Sequence, residues 1–317
     1  MSLVAQIDTG HRDMIHDAQL DYYGTRLATC SSDRIIRLFQ VRPSGQSYPL
    51  TDLSGHEGPV WQIAWSHPSF GSLLASCSYD HKVIIWQELD RQKWQRIYEY
   101  TQHDASVNSV SWAPYSLGCT LACGSTDKTI SIIRYQDDNW AQTRIPAAHE
   151  NGCNAVTWCP FVPPADNANA QFQENAVTCR LASGGNDSRV KIWKQTADGT
   201  WQLEHTLVGH EDWVRDVAWA PAVGATTNVI ASCAQDQRVI VWTCNGNLDT
   251  EKWQPTVLPK FDDVVWHVSW SMFNCVLAVS TGDNKISLWK QSIDGQWKCI
   301  SESNQSPPDD VHNRTDG

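Results

Sequence analysis

Six 13-residue segments of this chain align with one another without a gap: LATCSSDRIIRLF (27–39), LASCSYDHKVIIW (74–86), LACGSTDKTISII (121–133), LASGGNDSRVKIW (181–193), IASCAQDQRVIVW (230–242) and LAVSTGDNKISLW (277–289). Their last residues lie 47, 47, 60, 49 and 47 positions apart. Each holds an apolar run, a turn of small residues with an Asp, and an alternating run that closes on Trp in four of the six. Period-two alternation and β-branched side chains make both halves strands. A third strand ending on Trp precedes each of the last five: VWQIAW (60–65), VNSVSW (107–112), NAVTW (154–158), VRDVAW (214–219) and VVWHVSW (264–270). In the first repeat MIHDAQL (14–20) stands in that place. A fourth strand follows downstream, marked by Trp94, Trp140, Trp201, Trp253 and Trp297. Helical periodicity is absent. A recurring four-strand unit is the blade of a β-propeller, which buries its faces only by stacking on its neighbours. The expected fold is all-β, with six blades whose inner strands line a channel. A sandwich is the alternative, but nothing in it requires a four-strand period.

At 317 residues the chain is long for one compact domain and acceptable for a propeller. Charged residues at 19% suit a chain that is largely buried strand, and 17 Trp against three Met shows a structural demand for a large, rigid side chain. The net charge is −11, without a Lys/Arg cluster. Such a chain repels phosphate backbones and anionic lipid, so direct nucleic-acid binding and docking on a membrane surface are not expected. The start, MSLVAQIDTGHRD, lacks a basic segment followed by a long apolar stretch, and no apolar run approaches the roughly 18 residues of a membrane helix. A cytosolic or nuclear setting is the expectation. Of the 11 Cys, Cys30, Cys77 and Cys233 recur at one repeat position, which favours small buried hydrophobes over disulfides or a metal site.

A His precedes the first strand of five repeats: His11, His56, His103, His149 and His210. With a strand Ser or Thr, the turn Asp and the Trp it forms a buried relay. The full sets are His56, Ser76, Asp80 and Trp86; His149, Ser183, Asp187 and Trp193; and His210, Ser232, Asp236 and Trp242. The Asp caps its own turn and accepts a hydrogen bond from the His, and the indole N–H finds an acceptor. Phe39 replaces the Trp in repeat one, Cys123 and Ile133 interrupt repeat three, and repeat six lacks the His and has Val279. Asp127→Ala is therefore expected to cost less than Asp80→Ala or Asp236→Ala. A His–Asp–Ser set also suggests a hydrolase, but a set that recurs in every intact repeat is not one pre-organised site, and no G-x-S-x-G elbow accompanies it. The chain reads as a non-enzyme with no catalytic residue, cofactor or metal.

These repeats resemble WD repeats, although none carries the Trp-Asp dipeptide. More specifically, the chain resembles the Sec-thirteen family over about residues 1–300, through MIHDAQLDYYGTRLATCSSDR (14–34), GHEGPVWQIAW (55–65), LASCSYDHKVIIW (74–86), DWVRDVAWAP (212–221) and FDDVVWHVSWS (261–271). The resemblance implies a scaffold subunit with two main homes. One is the outer coat of COPII vesicles, on the cytoplasmic side of the endoplasmic reticulum membrane; the other is the Y-shaped outer-ring complex of the nuclear pore at the nuclear envelope. A third is a lysosomal or vacuolar complex that regulates nutrient signalling through TORC1. In each, the resemblance implies a large helical-solenoid partner that completes the propeller: a Sec-thirty-one type coat protein in the COPII cage and the related nucleoporin in the pore.

The residues point the same way. Repeat six has its own outer strand, GQWKCIS (295–301), yet an apolar strand, Leu3, Val4, Ala5, Gln6 and Ile7, precedes His11 where other repeats place an outer strand. It belongs to a seventh blade with no other strands, so the ring is expected to be open, with bare apolar flanks on blades one and six that a partner covers. One propeller domain is expected over residues 1–300, with a polar tail at 301–317 and a surface loop at 160–178. Two other functions fit a propeller: a recognition module that reads peptides on its top face, as in chromatin readers or ubiquitin-ligase adaptors, and a hydrolase.

Overall fold

The computed structural model describes residues 6–90, 93–160, 179–222, 227–246, 248, 252–273 and 275–304. Leu3, Val4 and Ala5, residues 161–178 of the insert and residues 305–317 of the tail lie outside the described residues.

Six antiparallel four-stranded sheets follow one another along the chain, each paired in sequence order. Blade 1 is β1 (Ile15–Leu20), β2 (Arg26–Ser31), β3 (Ile35–Val41) and β4 (Ser47–Ser54). Blade 2 is β5 (Val60–Trp65), β6 (Leu73–Ser78), β7 (Val83–Asp90) and β8 (Lys93–Tyr100). Blade 3 runs through β9 (Val107–Trp112), β10 (Thr120–Ser125), β11 (Ile130–Gln136) and β12 (Asn139–Ile145). Blade 4 comprises β13 (Cys153–Trp158), β14 (Arg180–Gly185), β15 (Arg189–Gln195) and β16 (Trp201–Val208). Blade 5 has β17 (Val214–Trp219), β18 (Thr227–Ala234), β19 (Val239–Asn245) and a short β20 (Gln254–Val257). Blade 6 closes the series with β21 (Val265–Trp270), β22 (Leu277–Thr281), β23 (Lys285–Gln291) and β24 (Trp297–Asn304). Each first strand lies beside that of the next blade, around a channel of about 570 Å³ whose lining includes Asp17, Gln62, Asp216 and His267.

Two boundaries differ from the sequence reading. The outer strand of blade 6, expected over 295–301, is β24, which continues to Asn304, pairing Ser303 with Ile286 and Asn304 with Lys285. Outer strands face water on one side, so the polar run Ser301–Asn304 resembled a tail. Gln6 and Ile7, expected in a strand, lie in none of the described strands.

The repeat acts through local geometry. In every blade the second residue of the first strand is skipped in the pairing register, as Trp61 is between Val60↔Ser78 and Gln62↔Cys77. Such a bulge re-aims that side chain without losing the strand. The Trp demand is met at three repeat positions. The Trp that ends a first strand meets the outer Trp of its own blade edge-on in Trp65–Trp94, Trp158–Trp201, Trp219–Trp253 and Trp270–Trp297, all at 5.8–5.9 Å. Cys30, Cys77 and Cys233 are fully buried free thiols, and burial raises their pKa, as expected of small hydrophobes.

Candidate partner-binding seam and the relays behind it

The relays form as read from the sequence. In blade 2, Nδ1 of His56 lies 2.9 Å from Asp80 and Nε2 lies 2.8 Å from the Ser76 hydroxyl, which accepts the Trp86 indole N–H at 2.9 Å. In blade 4, His149 sits 2.8 Å from both Asp187 and Ser183, and Trp193 donates to Ser183 at 2.9 Å. In blade 5 the His210–Asp236, His210–Ser232 and Trp242–Ser232 distances are 3.0, 2.8 and 2.9 Å. A neutral imidazole that donates from Nδ1 to the Asp and accepts the Ser hydroxyl at Nε2 satisfies every group. Burial opposes ionisation of Asp80, but the His56 hydrogen bond and the backbone N–H groups of Glu57 and Lys82 prevail, and its carboxyl is held down to about 2. Asp187 is held down to about 2 in the same way by His149 and Lys191. Ser76, Ser183 and Ser232 are fully buried with their hydroxyls engaged, so a substrate has no route to them.

The interrupted relays differ in kind. In blade 1, His11 bridges Asp33 and Thr29 at 2.9 Å each. In blade 6, Phe261 packs edge-on against Trp289 at 5.6 Å, and the indole donates to Ser287 at 2.9 Å instead. Blade 3 surrounds its Asp with additional donors. Cys123 leaves Nε2 of the buried His103 without a partner, as the sequence implied. Yet Asp127 accepts from His103 at 2.7 Å, from the Thr129 hydroxyl at 2.6 Å, from the Thr129 and Asp104 N–H groups, and from Arg144 at 3.1 Å. Its carboxyl is held well below the usual range despite burial. Despite the loss of the Ser and Trp from this relay, Asp127 accepts from more donors than Asp80, which accepts from His56, Glu57 and Lys82.

Between blades runs a second set of bonds that the sequence reading missed. The third residue of a first strand accepts from a backbone N–H of the next blade: Asp17 from Ile63, Gln62 from Val110, Ser109 from Val156, and Asp216 from Val268. In blade 6 that position is His267, 2.6 Å from Asp216 and raised to about 9 chiefly by that carboxylate. The available signal was a polar residue at the third position of the first strand in five of six repeats.

Each neighbouring pair of blades from 1–2 to 5–6 shares a buried cluster. Among the described residues no such cluster joins blade 6 to blade 1. The residues that would form it are uncovered. Ile15 is 45% exposed, whereas its counterparts Val60, Val107, Cys153, Val214 and Val265 are at 0%. Ile286 is 42% exposed, whereas Ile36, Val83, Ile130, Val190 and Val239 are at 0%. Leu27 and Leu288 are only partly buried beside them. Among the described residues nothing closes the ring at this seam.

The WD domain, G-beta repeat family matches residues 3–40, 47–87, 94–134 and 201–243. The last three matches begin at or within one residue of an outer strand and take in three strands of the following blade. The first match begins at residue 3. The chain is 61% identical to the human protein named Protein SEC13 homolog over 309 residues, covering 96% of this chain and 94% of the relative. The Drosophila melanogaster Protein SEC13 homolog is 48% identical over 304 residues, covering 95% and 84%, and the Yarrowia lipolytica protein named Protein transport protein SEC13 is 46% identical over 296 residues, covering 92% and 97%. The chain belongs to the SEC13 family. It is a six-bladed WD-repeat propeller of that family, with relays inside its blades and an uncovered apolar seam between the first and the last.

Proposed function

We propose that this chain is a non-enzymatic scaffold subunit of membrane-coating assemblies and holds a large helical-solenoid partner by accepting a β-blade from it into the seam between blades 6 and 1. The observation that carries this reading is the exposure of Ile15 and Ile286 at positions sealed to 0% in every other blade. An apolar face of that kind is a core lacking its second half. The name of the Yarrowia relative supports a role in protein transport. The assemblies follow from the family resemblance: the COPII outer coat on the endoplasmic reticulum and its vesicles, the nuclear-pore outer ring, and a nutrient-signalling complex at the lysosome or vacuole. Partner strands would pair with residues 3–7 and bury the flanks of blades 1 and 6, on the order of 2,000 Å² as in obligate interfaces. The acidic chain contacts neither nucleic acid nor bilayer directly.

The test uses Ile15→Glu and Ile286→Glu, with Ile293→Glu on the open surface as control, each tagged and purified from cells with bound proteins identified by mass spectrometry. The seam variants should lose the solenoid coat and pore subunits at least tenfold while the control keeps them. Undiminished recovery by both seam variants would overturn the reading and turn attention to the top face.

A further inference from the structure

The junctions between blades carry a polar latch that repeats in register. The Trp ending a first strand donates its indole N–H to a backbone carbonyl in the first strand of the preceding blade: Trp65 to Gln19 at 3.0 Å, Trp112 to Ala64 at 2.9 Å, Trp158 to Ser111 at 2.8 Å, and Trp270 to Ala218 at 3.1 Å. The acceptor is always the fifth residue of its strand. Junction 4–5 is the exception: the buried Trp219 indole has no partner there, and its backbone N–H donates to the Thr157 hydroxyl instead.

Carried one step past blade 6, the register reaches Ser269, the fifth residue of β21, which is exposed at the seam. Blade 1 carries no counterpart donor, because Leu20, 54% exposed, stands in the Trp position. The seam is therefore asymmetric: blade 6 presents an acceptor, and blade 1 presents an apolar side chain. We infer that the blade accepted by this seam enters with a tryptophan at the end of its innermost strand, whose indole N–H donates to the Ser269 carbonyl. The latch fixes which way round the blade inserts, because only the blade 6 side offers the acceptor at the repeat register. This rests on the seam reading above and adds the residue by which the partner's strand is set in register.

The probe is a copy of this chain's own Gly55–Asp90, three strands of blade 2, inserted between Asn304 and Gln305 so that it follows blade 6 as blade 2 follows blade 1. The copy of Trp65 then faces Ser269. In a second chain that Trp is replaced by benzothienylalanine, which keeps the two-ring shape and lacks the N–H. Amide hydrogen exchange is read on the added innermost strand, on β1 and on β23. The inserted strands should protect β1 and β23, and the isostere should speed exchange of the added strand about five-fold, the net worth of one neutral hydrogen bond. Protection that is identical with Trp and with the isostere would overturn the tryptophan inference and leave the seam reading standing. No protection of β1 and β23 by either chain would overturn both.

Discussion

The turn Asp of each repeat holds in place a residue that would otherwise be strained. The residue after it has a positive φ in all six hairpins: Arg34, His81, Lys128, Ser188, Gln237 and Asn284, at 61° to 76°. None is Gly, so each carries a steric cost that a fixed acceptor must offset. Asp80 does so by accepting the Lys82 N–H at 3.0 Å with one oxygen and His56 with the other. Asp80→Ala and Asp236→Ala should each destabilise by roughly 1–3 kcal/mol at neutral pH. Asp127→Ala should cost at least as much, since Thr129 and Arg144 lose their acceptor with His103. The Asp80 carboxyl titrates near 2 in the folded chain against an ordinary 3.8. Its contribution is thus complete above the ordinary value and disappears as pH falls toward 2. Urea titrations at pH 7 and pH 3 should show the Asp80→Ala deficit shrinking with acidity. A deficit that stays constant, or an Asp127 variant milder than the other two, would refute this account. The relays were legible because their four residue types recur at fixed offsets. The inter-blade bonds were not, because Asp17, Gln62 and Ser109 do one job with different chemistry and the partner N–H is 46–48 residues away.

At the scale of strands and hairpins, alternation and turn chemistry gave the elements, and errors fell where an edge strand is polar, as in β24. Packing between hairpins was less visible. Repeat four carries Gly184-Gly185 where repeat two has Cys77-Ser78, a difference that reads from sequence as turn chemistry alone. The structure gives a steric reason for the second Gly. A Cβ at Gly185 would collide with the His149 ring, which lies fully buried against β14. Gly185→Ala should therefore displace His149 from Asp187 and Ser183, costing roughly 1–3 kcal/mol as overpacking does. Gly185→Ala combined with His149→Ala should recover part of that loss, since the small ring-free side chain relieves the collision. A thermal melt of the double variant no more stable than the sum of the single losses would show that the ring is not what excludes the Cβ.

Across the whole molecule, the five sealed junctions and the open one make stability uneven along the ring. Blades 2 to 5 are clamped on both flanks, whereas blades 1 and 6 are clamped on one. Full burial of an Ile stabilises by about 1.5–3 kcal/mol, so leaving Ile15 and Ile286 nearly half exposed forgoes roughly 1 kcal/mol at each. Local opening draws on such deficits, because a unit with fewer buried contacts opens at lower free energy than the global transition. In the chain alone, amides of β1, β22 and β23 should exchange faster than those of β5, β9, β13 and β17, even where their backbone ladders match. A partner that binds only the folded ring should reverse this order by mass action, protecting the two seam blades first and raising the melting temperature with its concentration. Hydrogen exchange of the free chain and of the co-purified complex measures both. Uniform protection around the free ring would mean that the seam is closed by residues of the chain itself, and the partner's blade would then have no place to enter.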